Sequence, residues 1–161
     1  TFPLGDPIAV ELPGDRQRRV AIFAKLLLPS ESASPVSVGN VHLDALGPPR
    51  RFWIFGSSSV RHRQVKAIAP LMPETNFVLG ADLNTWHGPS EAATRFLETL
   101  FETRVSSVRD RPGIRVLDYL FFRFAPNLAA QCTVAANDYG SDHHPLIGRI
   151  VRAQSAALMQ P

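Results

Sequence analysis

An α/β or α+β sheet protein is the fold class this sequence predicts. Three observations predict it. The chain has 161 residues, the size of one domain, and 45% of them are hydrophobic, enough for a sizeable core. Short apolar runs rich in Val, Ile, Leu and Phe alternate with two stretches of helical spacing. The polar residues of chemical interest fall at the ends of the strand-like runs or in the loops just after them, where ligand sites in sheet proteins gather.

Taken in order, residues 1–17 are turn-rich, punctuated by Pro3, Gly5, Pro7, Pro13 and Gly14. "RRVAIFAKLLL" (18–28) predicts a strand ended by Pro29, and "PVSVGNVHLDA" (35–45) a second strand after a Ser/Pro loop. Residues 57–72 predict a helix, with serines as N-cap and Val60, Ala67, Ile68 and Leu71 near one face. "NFVLGADLN" (76–84) predicts a strand running into a loop. Pro89 and Ser90 open a second helix with an apolar face of Phe96, Leu97, Leu100 and Phe101. "RVLDYLFF" (115–122), "AQCTVAAN" (130–137) and "PLIGRIV" (145–151) predict further strands, and residues 152–161 read as a tail.

The formal charge of +3 is too small to argue nucleic-acid binding by itself, although the basic residues are arginine except for Lys25 and Lys66. Cys132 stands alone, which excludes an internal disulfide framework and a cysteine-based zinc cluster. No run approaches the ~18 apolar residues of a membrane span. The opening "TFPLGDPIAVELPGD" has neither an initiator Met nor a signal-peptide pattern, so it reads like the middle of a protein and carries no targeting information.

Strand alternation sorts the polar residues. In "VGNVHLDA", Asn40, His42 and Asp44 share one face and Val41 and Leu43 the other; a half-solvated strand explains this as well as a site does. In "LGADLNTWHG", Asp82 and Asn84 point the same way while the strand stays extended, a pair able to grip and polarise a water; an Asx turn closing the strand is the alternative. Trp86, in the following loop, is a candidate substrate contact or a local packing residue. Asp118 lies inside an apolar strand, where an unpaired carboxylate costs several kcal/mol, roughly, so it calls for a partner such as histidine or a strand end open to water. "GSDHHP" offers Asp142 as a hard oxygen ligand for Mg²⁺ or Mn²⁺. His143 and His144 are adjacent, so in extended chain they face opposite ways and should not both serve one site. Zinc would want more His or Cys ligands than this segment supplies.

Together, "NVHLDA", "GADLN", "LDYLFF" and "SDHHP" resemble, in order, the C-terminal motifs of the endonuclease/exonuclease/phosphatase superfamily, over nearly the whole chain. That resemblance implies a DNase I-like four-layer α/β/β/α sandwich over residues 1–151, incomplete at its N-terminal side. It implies a divalent-metal-dependent phosphoester hydrolase, nuclease-like, in which water attacks in line. By resemblance, His42 contacts the scissile phosphate and acts as acid, Asp82 orients the water, and Asn84 sits beside the phosphate. Asp118 resembles the carboxylate that pairs with the catalytic histidine, His143, and Asp142 a metal-site carboxylate. His144 matches a variable position and stays outside the mechanism.

Asn40, Arg61, Arg63 and Trp86 are the candidate substrate contacts. Arg61 and Arg63 belong to a stretch from Gly47 to Pro73 that holds five basic residues and no acid, and they open the first helix, where the helix dipole favours anions. A solvated basic helix face is the alternative. The earlier family Asn and metal-binding Glu have no counterpart here: Asp6, Glu11 and Asp15 lie in unrelated turn-rich sequence. The expectation is therefore that an N-terminal half packs on this one, that an apolar face is uncovered without it, and that these 161 residues alone are inactive or nearly so. The resemblance implies a phosphoester substrate, with nucleic acid ranked first because it needs no special headgroup pocket. A phosphatase or a phosphoinositide or sphingomyelin phospholipase of the same superfamily, and a non-catalytic binding module, are the alternatives.

Overall fold

The computed structural model describes residues 3–14, 17–27, 35–45, 53–85, 87–106, 117–141 and 143–153. The elements run β1 (Leu4–Glu11), β2 (Val20–Leu26), β3 (Val36–His42), α1 (Trp53–Ile68), β4 (Phe77–Asp82), α2 (Ala92–Leu100), β5 (Thr103–Ser106), β6 (Asp118–Arg123), β7 (Leu128–Val134) and β8 (Leu146–Arg152). One sheet has the order β1-β2-β3-β4-β6-β5, and β7 and β8 form a separate antiparallel pair. Among the described residues, only the β3–β4 pair of the large sheet is parallel, because α1 carries the chain across between them.

Alternation divides the large sheet into two faces. Ala21, Phe23, Val41, Phe77, Leu79, Ala81, Tyr119 and Phe121 point to one side and are buried under Val65 and Ile68 of α1 and Ala93 and Leu97 of α2. Aromatic rings thread this core, with Phe101 5.8 Å from Phe77 and 5.3 Å from Phe121 between centroids. The opposite face presents Asn40 and His42, Gly80 and Asp82, and Asp118, Leu120 and Phe122. Strand β8 crosses this face over β6. It comes so near that a Cβ on Gly148 would lie 3.3 Å from the Phe122 ring and 3.4 Å from Leu120, so a side chain here would require these neighbours to give way by a few tenths of an ångström. Helices, large sheet and hairpin are thus three successive layers of the expected α/β/β/α architecture. On the hairpin side, Val20 and Ile22 of β2 and Ile147 and Ile150 of β8 remain exposed. No helix among the described residues is long and apolar enough to cross a membrane.

Four local expectations change. The turn-rich start contains strand β1, which pairs with β2; Pro7 and the positive-φ Asp6 sit where the register breaks between Gly5 and Ile8, and an edge strand tolerates both. Strand β5 is a short edge strand of four residues. Helix α1 starts at Trp53, so Ser57–Ser59 lie inside it instead of capping it. Its buried face is Val60, Arg61, Gln64, Val65 and Ile68, while Ala67 and Leu71 are exposed. Trp86, Asp142, Asp15 and residues 154–161 of the tail lie outside the described residues.

Candidate active site

Register assembles the site. His42, the last residue of β3, pairs across the parallel ladder with Asp82, the last of β4. Asp82 pairs across the antiparallel ladder with Asp118, the first of β6. Cross-strand partners point the same way, so three strands deliver His42, Asp82 and Asp118 in one row at one end of the hairpin-side face. The His42 Nε2 lies 3.4 Å from Asp82 Oδ2.

The loop between β7 and β8 supplies the fourth group. His143 Nδ1 lies 2.6 Å from Asp118 Oδ2, and the His143 backbone N–H donates to Ser141 Oγ at 3.1 Å. A neutral imidazole with Nδ1–H bound to a carboxylate has its tautomer fixed, and Nε2 keeps a lone pair for proton transfer. Burial pushes the Asp118 carboxyl above its ordinary value of 3.8; the neighbouring His143 opposes that shift and Asp82 adds to it. One ligand atom each from Asp82, Asp118 and His143 fall within 4.8 Å of one another.

These groups floor a cleft of about 610 Å³. Its walls include Asn40, Gly80 and Leu120 from the sheet, and Asp138, Tyr139, Ser141, His144, Pro145 and Leu146 from the hairpin. The volume is that of an ordinary small-molecule site, larger than a phosphoryl group requires. Asp82, Asp118 and Asp138 line it, and no Lys or Arg does among the described residues.

Of the expected site residues, Asn40, His42, Asp82, Asp118 and His143 are brought together. Asn84 is not placed as expected. Strand β4 ends at Asp82, and Asn84 turns into left-handed backbone at φ 48°. Its N–H donates to Asp82 Oδ1 at 3.0 Å and its side-chain amide donates to the Leu43 carbonyl at 3.1 Å. That is the Asx turn, and it ties the chain leaving β4 to the chain leaving β3.

Arg61 and Arg63 are corrected as substrate contacts. Both belong to α1, on the face of the sheet away from the cleft, and neither lines it. Arg61 is fully buried and grips Glu91 through Nε and Nη2 at 2.7–3.0 Å, with Nη1 donating to the Asp44 carbonyl at 3.3 Å. Arg63 is exposed on the same helix.

His144 was expected to face away from the site, yet it lines the cleft. Its Nδ1 lies 3.0 Å from the Ala135 carbonyl, a contact in which the ring N–H donates. The expectation failed because residues 143–145 precede β8 and are not extended strand, so alternation does not separate the two histidines. Tyr139 and Asp138 were missed altogether. Their only signal was the turn chemistry of "NDYG" immediately before the histidines.

Neither a family model nor a curated protein matches the sequence. Solved structures do match. The human Nocturnin catalytic domain with bound sulfate anion superposes with a TM-score of 0.64 at 16% identity, over 94% of this chain and 60% of that one. Humanized D. rerio TDP2 carrying 14 mutations superposes at 0.58 and 16% identity, over 92% of this chain and 65% of that one. The likeness is one of architecture: the chain has the DNase I-like fold that its four motifs implied. It spans less than two thirds of the length of either neighbour.

Proposed function

We propose that the cleft is the catalytic face of a divalent-metal-dependent phosphodiester hydrolase of the endonuclease/exonuclease/phosphatase superfamily. One observation carries this reading: the row His42–Asp82–Asp118, closed by the 2.6 Å contact between Asp118 and His143. Such a carboxylate–histidine pair serves proton transfer, and the neighbouring Asp82 supplies an acceptor to orient a water.

Charge supports the metal. A phosphodiester is an anion, and the described cleft residues include three aspartates and no Lys or Arg. An anion enters such a cleft together with a cation. The donors suit Mg²⁺ or Mn²⁺, which prefer carboxylate oxygen. His143 Nδ1 is engaged with Asp118, so oxygen from Asp82 and Asp118, with Asp142 by resemblance, would hold the ion. When bound, it would neutralise charge on the phosphoryl oxygens.

The protein's own groups then divide the work. Asp82 accepts a hydrogen bond from the attacking water and sets its direction. His143 Nε2 takes the proton as the water oxygen bonds to phosphorus. Asp118 holds His143 in place and stabilises the imidazolium. His42 donates a proton to the leaving oxygen as its bond to phosphorus breaks, and the Asn40 amide donates to a non-bridging oxygen. Nucleic acid remains the first-ranked substrate, ahead of phosphatase or phospholipase activity on a lipid headgroup. The anion bound by the Nocturnin domain is in keeping with an anionic ligand.

A non-catalytic binding module has one observation in its favour. The acids of β1 are elsewhere: Glu11 pairs with Arg18 at 3.1 Å and Asp6 with Lys25 at 3.0 Å, and neither lines the cleft. With no acid of β1 in the cleft, turnover is expected to be slow at best, and the test uses the protein as its gene encodes it. Hydrolysis of bis-p-nitrophenyl phosphate or DNA should require Mg²⁺ or Mn²⁺, stop with EDTA, and be lost in Asp82→Asn. No turnover of these or of lipid headgroup esters with either metal would favour the binding module.

A further inference from the structure

The hairpin wall of the cleft contains a residue whose conformation its own turn does not explain. Tyr139 and Gly140 have φ of 54° and 84°, and the Ser141 N–H donates to the Asp138 carbonyl at 3.0 Å. Two successive positive φ values inside an i to i+3 hydrogen bond define a type I′ turn, with Tyr139 at the first central position. That position belongs to Asn, Asp or Gly, which enter left-handed backbone at little cost. The other described non-glycine residues with positive φ are Asp6, Asn76 and Asn84, which obey this rule. Tyr139 alone among them is bulky.

The ring gains little packing in return. Tyr139 is 78% exposed. The strained backbone is nevertheless held firmly, with the Tyr139 N–H donating to Asn137 Oδ1 and the Gly140 N–H to Asp138 Oδ1, both at 2.9 Å. Backbone strain of this kind clusters at ligand clamps and active sites. Tyr139 lines the cleft, on the same loop that delivers His143. Around it the wall is organic in character, with Leu120, Pro145, Leu146 and the His144 ring, whose orientation the Ala135 carbonyl sets. Asp138, beside the tyrosine, makes this end unfavourable for a second phosphate.

The geometry points to a two-part cleft: the row at its floor takes the phosphoryl group, and the Tyr139 wall takes a planar heteroaromatic ring carried on the same phosphoester, as in a nucleotide. The first part rests on the phosphodiesterase reading; the second is a statement about binding. A flat ring suits this wall because an aromatic face stacks on any base without a hydrogen-bond code, and a ring presented to solvent needs no rearrangement to receive it.

The test is equilibrium binding to the full gene product by calorimetry, with Ca²⁺ as the metal, using thymidine 5′-monophosphate, ribose 5-phosphate and hexyl phosphate. Thymidine 5′-monophosphate should bind about tenfold tighter than ribose 5-phosphate, the order expected of one base–aromatic stack. Tyr139→Trp should keep that preference and Tyr139→Asn should lose it. Asn is the favoured residue for the turn, so Tyr139→Asn should not lower the melting temperature, which separates loss of the ring from loss of the fold. Equal binding of the two phosphates by the parent protein, or of neither, overturns the inference, as does an unchanged preference in Tyr139→Asn. Hexyl phosphate binding as tightly as the nucleotide, with the same loss in Tyr139→Asn, overturns it in favour of a general apolar wall. If no ester is hydrolysed but the preference and its loss remain, the hydrolase reading fails and the ring subsite stands.

Discussion

Replacing Glu91 by alanine would leave a fully buried guanidinium without its counter-ion. Glu91 Oε2 lies 2.7 Å from Arg61 Nη2, and the two side chains are 2% and 0% exposed. The same carboxylate accepts the His87 N–H at 3.1 Å, and Arg61 also holds the Asp44 carbonyl. The pair therefore joins α1 to the chain leaving β3 and the chain leaving β4, whose last residues are His42 and Asp82. Breaking a buried pair by removing one partner costs about 3–5 kcal/mol, because the remaining charge stays desolvated. For a domain of this size each kcal/mol is about 2–4 °C, so Glu91→Ala should lower the melting temperature by about 6–20 °C at neutral pH. Differential scanning calorimetry reads it directly. The double variant Arg61→Met, Glu91→Leu should recover most of the loss, since apolar replacement removes both charges together. A Glu91→Ala melting temperature within about 3 °C of the parent would refute the buried pair as the tie between these loops.

Two further outcomes follow from the cleft. Burial raises the Asp118 pKa above 3.8, so its stabilising contribution is present below that pH and is lost as pH rises through the folded value. Asp118→Asn should accordingly melt higher than the parent at pH 7 and gain nothing at pH 3, while catalysis falls; a lower melting temperature at pH 7 would contradict the desolvation argument. Gly80 lies on the cleft floor, where an added Cβ would sit 3.7 Å from Leu120 Cδ2 and 3.8 Å from Asn40 Oδ1, ordinary contact distances. Gly80→Ala should therefore keep the fold and raise KM by narrowing the cleft, and unchanged kinetics would place the substrate elsewhere.

The row of His42, Asp82 and Asp118 was legible because strand periodicity is rigid: a polar residue at the end of an alternating run must face away from the core, whatever the rest of the fold does. That Asp118 called for a partner or a water-facing strand end was legible from cost, and the family resemblance pointed to His143 as that partner. Arg61 was misread for the complementary reason. A basic residue on a helix ordinarily faces water, and nothing local announces that Glu91, thirty positions on, will bury it. The helix face was missed with it, because Arg61 and Gln64 occupy positions that a hydrophobicity pattern expects to be apolar.

Strand β1 was hidden by Pro3, Gly5 and Pro7, which signal turns in isolation but are tolerated on an edge whose outer side carries no partner strand among the described residues. Asn84 and His144 were misplaced by extending strand geometry one or two residues too far. Both errors occurred where a strand gives way to a loop, which is also where this site is built. Tyr139 lay in a turn that composition identified, but its burden of positive φ appears only in three dimensions.

The most direct test of the account is kcat for His143→Ala in the full gene product, with Mg²⁺ and a phosphodiester, beside the unaltered protein. General acid–base catalysis of this kind contributes about 10²–10⁴-fold, so kcat should fall by that factor while KM changes little. A kcat within about threefold of the parent would contradict the assignment of the Asp118–His143 pair as the proton-handling centre.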